Sequence, residues 1–192
     1  MRQIMCLLLI GALVCTSIAL SQETSSEPLK IGDNAPTFAL QDAEGQLHSL
    51  EKWRGKVVLL ILGNRKVRKE DNKWAGAFQR DYKDNNRIGA YIIADMRSVP
   101  GFVPEGFIKN YLKRNKPPVT LLLDWIGKVH EAYHTRKEKP NLYIIDSKGQ
   151  IAFYLQANFD EEIYQQVKTV IESKLNLMIR EEAKGNGEQM SK

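Results

Sequence analysis

Residues 56–70 read KVVLLILGNRKVRKE, and this stretch decides the fold. Its first part, 57–62, is six apolar residues rich in branched side chains with no alternation of polarity, the pattern of a strand covered on both faces. Such a strand belongs at the centre of a sheet. Gly63 and Asn64 break the run, Arg65, Lys66, Arg68 and Lys69 crowd positive charge into the turn, and a helical pattern follows. A strand, a short turn and a helix start form the place where α/β proteins put their ligands.

Downstream of the turn, Trp74, Ala77, Phe78 and Tyr82 recur at helical spacing and predict a helix over 69–84, with Glu70 and Asp71 in its first turn suiting the helix dipole. A second apolar strand, 88–96, ends around Asp95; a helix between two buried strands predicts parallel pairing through a right-handed crossover. Residues 99–107 (VPGFVPEGF) form a loop, with Pro104 opening a helix to about 115. Phe102 and Phe107 there suit either an exposed loop for a partner or one packed over the domain edge. A third strand, 119–123, is closed by Asp124, and 128–134 is a short helix. Pro140 stands at the mouth of a strand ending in Asp146, and Ser147-Lys148-Gly149 turns it into 150–155, an antiparallel hairpin. Asn158 with Glu161 fits a capping box, after which Ile163, Val167, Val170, Ile171, Leu175 and Met178 make one apolar face. Upstream, two short alternating runs flank Asp42-Ala43-Glu44-Gly45, a β-hairpin. Trp74 and Trp125 read as packing residues.

The two ends of the chain differ from this domain. In residues 1–21 Arg2 is the only charged side chain, an apolar core follows, and Ala19-Leu20-Ser21 offers small residues where a signal peptidase reads, so cleavage is expected before Gln22. Residues 22–30 then form a flexible leader, 31–179 the domain, and 180–192, which loses its periodicity, a disordered tail. The only cysteines are Cys6 and Cys15. Cys15 would be a lipid-attachment site if a lipoprotein peptidase cut before it, but Val14 is bulky where a small residue is wanted. A processed chain therefore has no thiol and no disulfide, and works in the periplasm or another extracytoplasmic space with no membrane attachment. The formal charge of +5, one less without Arg2, points to anionic ligands or surfaces before nucleic acid.

Four short phrases, in order, carry a resemblance: Ile31-Gly32-Asp33-Asn34-Ala35-Pro36-Thr37-Phe38, the run from Gly55-Lys56 into the first core strand, the strand-end Asp95, and Pro140 to Gly149. They resemble the thioredoxin-like superfamily, specifically the redoxin branch of peroxiredoxins and envelope thiol-disulfide reductases. The resemblance implies an α/β, thioredoxin-like fold: a central mixed sheet of about five strands flanked by helices, with an N-terminal β-hairpin. It also implies that Pro140 matches the family's cis-proline facing the reactive loop. Counted from Gly55-Lys56, the family's reactive cysteines fall at about Val67 and Glu70. Neither residue can form the soft anion that disulfide exchange or peroxide reduction needs, so the family's activity does not carry over.

The basic turn is the remaining candidate. Backbone N–H groups at a helix start, with Asn64, Arg65, Lys66 and Arg68 around them and Pro140 opposite, suit a phosphate, sulfate or carboxylate. With one glycine and no Gly-Lys-Ser/Thr it is not a P-loop, and no cofactor is expected. The leading expectation is a non-catalytic module that binds a small anion or a partner protein. A redoxin-type oxidoreductase or antioxidant role with a partner's thiol is the alternative. His130-Glu131-Ala132-Tyr133-His134 also matches H-E-x-x-H, whose zinc-hydrolase use would need a long apolar helix and a third ligand.

Overall fold

The computed structural model describes residues 29–189, so the expected signal peptide and nearly all of the 22–30 leader lie outside the described residues. The strand of the opening stretch, β3 (Val57–Asn64), has every residue buried. Its odd-numbered side chains (Val57, Leu59, Ile61) enter one core with Trp74 and Phe78, and its even-numbered ones (Val58, Leu60, Leu62) enter the other with Tyr91, Tyr133 and Tyr143. That division explains the missing alternation: both faces need apolar groups, each stabilising the fold by about 1.5–3 kcal/mol when fully buried.

On one side β3 pairs in parallel with β4 (Ile88–Asp95), which pairs in parallel with β5 (Thr120–Asp124). On the other it pairs antiparallel with β6 (Asn141–Ile145), followed by β7 (Ile151–Gln156) in a hairpin. These are the five strands expected. The sheet nevertheless has seven, because the N-terminal hairpin of β1 (Ala39–Asp42) and β2 (Leu47–Ser49) joins it: β1 pairs antiparallel with β5, giving the order β2-β1-β5-β4-β3-β6-β7. Among the described residues four α-helices flank the sheet: α1 (Arg68–Tyr82), α2 (Glu105–Arg114), the single-turn α3 (Lys128–Ala132) and α4 (Glu161–Gln189).

Two details correct the sequence reading of α4. Its cap is Asp160, whose Oδ1 accepts from the N–H groups of Glu162 (2.9 Å) and Ile163 (3.1 Å), not Asn158. The helix also continues through 180–189, part of the expected tail. Periodicity fades there because residues 180–184 are exposed, with Lys148 to Glu181 (2.8 Å) and Arg87 to Glu182 (3.3 Å) tying them to the domain.

Candidate functional site

The site begins where β3, β4 and β5 end. Asn64, Asp95 and Asp124 are register neighbours there, and Asn141, opposite Leu62, opens β6 beside them; all four are buried. Each polar side chain fastens a loop. Asn64 accepts from Lys66 N–H (2.9 Å) and donates to the Lys137 carbonyl (2.9 Å). Asp95 accepts from the Arg97 guanidinium at 3.0 and 2.8 Å. Asn141 donates to the carbonyls of Arg136 (2.7 Å) and Lys139 (3.1 Å). Asp124 Oδ2 accepts from the N–H groups of Val129 and His130 at the start of α3, and its contact with His130 Nδ1 is 2.9 Å. Burial pushes the Asp124 carboxyl up, but the His130 ring and the backbone donors outweigh it and hold it below the usual carboxylate value.

The residues predicted to matter fall into three groups. Asn64, Arg65 and Arg68 line one cavity, whereas exposed Lys66 and buried Pro140 do not. Pro140 sits beside the corner through the β3–β6 pairing, but its peptide bond is trans, which corrects the expected cis-proline. Val67, at the N-cap of α1, is only 7% exposed, and its carbonyl accepts from the N–H groups of Glu70 and Asp71. Glu70 accepts from Lys73 Nζ (2.7 Å) and from Phe159 N–H (2.9 Å), and these partners, Lys73 first, lower its pKa. Val67 is thus packed, and Glu70 pins the approach to α4.

The zinc reading is corrected as well. His130 is buried with Nδ1 against Asp124 and Nε2 against the Gly63 carbonyl (3.1 Å), so neither nitrogen is free for a metal. His134 is exposed beyond the end of α3, in a left-handed conformation (φ 48°). No group of three potential metal ligands occurs among the described residues.

The cavity, about 240 Å³, lies between α1 and α2 over the C-terminal half of β4. Its walls are mostly apolar, including Ile92, Val103, Ile108 and Leu121; Phe107 and Tyr111, 68% and 47% exposed, stand on its α2 side. Phe102 beside them is 86% exposed while Val99 and Val103 line the cavity, so the 99–107 loop combines the two forms expected. Arg65 and Arg68 line it from the α1 side, and Arg68 donates to the Tyr111 hydroxyl (3.2 Å) while lying over that ring.

Asp71 is the residue the sequence reading assigned only to the helix dipole. It is 3% exposed, lines the cavity, and packs so closely on Gly63 that a Cβ there would overlap its carboxyl. Burial, and secondarily the charge of Glu70, pushes this carboxyl up to about 8. A signal was present: 71, 74, 78 and 82 follow the spacing of the apolar stripe, so a carboxyl at 71 falls on the buried face.

The family profile described as AhpC/TSA matches residues 31–154. Among curated proteins, a chloroplastic peroxiredoxin Q of Populus jackii is 26% identical over 68% of this chain and 62% of its own length. The peroxiredoxin Q of Sedum lineare is 27% identical over 68% of this chain and 71% of its own. The chain thus spans only about three fifths of the Populus relative's length. Among solved structures, the thioredoxin domain of a thiol-disulfide oxidoreductase from Bacteroides vulgatus superposes with a TM-score of 0.56 at 21% identity, over 74% of this chain and 99% of that one. A peroxiredoxin-like protein from Aquifex aeolicus gives 0.56 at 18%, over 76% and 90%. The fold is thioredoxin-like.

Proposed function

Because the chain belongs to the AhpC/TSA family yet carries no cysteine beyond residue 15, we propose that it is a non-catalytic binding module on a redoxin scaffold. The observation that carries this reading is the corner itself: Val67 and Glu70 are committed to packing and hydrogen bonding, while a cavity rimmed by Arg65 and Arg68 opens beside them. Its ligand is a small anion or an acidic group on a partner protein, met by Arg65, Lys66 and Arg68, with Asn64 and Pro140 shaping the corner behind them. The site of action is extracytoplasmic, on the strength of the leader in the sequence; none of the described helices is long and apolar enough to cross a membrane.

Family membership favours one second reading, an oxidoreductase or antioxidant role in which a partner supplies the thiol. Purified, processed protein in insulin-reduction and peroxide-consumption assays, with and without an added dithiol, separates the two. No turnover in either condition is expected, together with amide shifts at 64–71 on titration with acetate or phosphate at low salt. Turnover above the uncatalysed rate only with the dithiol selects the second reading, and turnover by the chain alone overturns both.

A further inference from the structure

We propose that the cavity between α1 and α2 is a built site for one class of small organic molecule: an apolar ring or short branched body with a hydroxyl at its inner end and a carboxylate at its outer end. This rests on the binding reading above and names the ligand class for it.

Three buried side-chain oxygens have no hydrogen-bond partner among the described residues: Asp71 Oδ1, Asn72 Oδ1 and Asp124 Oδ1. The first two belong to adjacent residues of α1, and both residues line this cavity. Folded proteins pair nearly all such atoms, so two orphan acceptors beside one cavity are a specific request for a donor. The two other buried polar side chains that line the cavity are already engaged. Asn64 is committed to Lys66 and Lys137, and Asp95 to Arg97.

At about 240 Å³ the space exceeds the roughly 150 Å³ in which an apolar cavity holds benzene. A ring with a short substituent at each end therefore fits. At the rim, Arg65 and Arg68 form no ion pair among the described residues, and Tyr111 holds the Arg68 guanidinium in place by a hydrogen bond and by its ring face. These two cations favour a carboxylate at the outer end and disfavour entry of an ammonium. At neutral pH the Asp71 carboxyl, pushed up to about 8, keeps its proton and can both donate and accept. A hydroxyl, which does both, is its complement.

The test is calorimetric titration of the full chain near neutral pH and low salt with 4-hydroxyphenylacetate, phenylacetate and 4-methylphenol. The hydroxylated carboxylate is expected to bind roughly tenfold more tightly than phenylacetate, the size of one well-made buried hydrogen bond. Asp71→Leu should abolish that preference, while Asp71→Asn, which still donates and accepts, should keep most of it. Arg65→Gln with Arg68→Gln should weaken both carboxylates alike and leave 4-methylphenol unchanged. Equal affinity of the wild-type chain for the two carboxylates overturns the proposal but leaves the binding reading standing; this comparison needs no variant to fold. Retention of the preference in folded Asp71→Leu also overturns it. If no probe binds and no amide at 64–71 shifts with acetate or phosphate, both fall.

Discussion

Asp71→Asn keeps the shape of the cavity wall and removes the carboxyl titration at position 71. In the unfolded chain the carboxyl ionises near its ordinary value of 3.8, whereas in the fold it holds its proton to about 8. Below the lower value both states are protonated and the group has no effect on the pH dependence. Between the two values the folded state binds the extra proton, so stability falls as pH rises, by about 1.4 kcal/mol per unit. Above the higher value both states are ionised and the slope returns to zero. The interval of about four units makes the accumulated loss on the order of 5 kcal/mol, comparable with the whole stability of many domains. Urea midpoints of the wild type and Asp71→Asn, measured in half-unit steps from about pH 4.5 to 8.5, isolate this contribution, since every other titration is shared. The advantage of the variant should be small at the acid end, climb steadily, and level off in the alkaline range. Parallel stability curves would show that the carboxyl ionises in the fold as it does in water, and the account of the cavity wall would be wrong.

Gly63→Ala should cost about 1–3 kcal/mol by driving a methyl group into the Asp71 carboxyl, and Asp71→Ala in the same chain should recover most of it, as a double-mutant cycle in urea would read. Glu70→Ala should cost about 1–2 kcal/mol and speed hydrogen exchange of the Phe159 amide, which loses its acceptor. His130→Ala should cost about 3 kcal/mol by urea denaturation, because a buried carboxylate and the Gly63 carbonyl lose their ring partner. Asp124 is depressed below 3.8, so its stabilisation is present above that value and lost as pH falls through its lower folded one; the acid limb of the stability curve should shrink in that variant.

The core strands were legible because one long apolar run between a glycine turn and a charged helix start has few other readings. The parallel pairing of β3 and β4 followed from the helix between them. The attachment of the hairpin to β5 was not legible, since only two register pairs, Gln41 with Leu123 and Asp42 with Leu122, mark that edge. The corner's charges were visible and the cavity was not. Its far wall is α2, and Tyr111 lies 43 residues from Arg68 in the chain, so no local pattern ties the two. His130 shows the converse: the H-E-x-x-H spacing is satisfied, yet a single-turn helix beside Asp124 uses the first histidine to hold the end of β3.

The strand-end row of Asn64, Asp95, Asp124 and Asn141 holds its loops entirely through oxygen and nitrogen. From residue 29 to 189 there is no sulfhydryl to oxidise and no crosslink to cleave. Glutathione and its disulfide therefore find no partner for thiol–disulfide exchange on this rim.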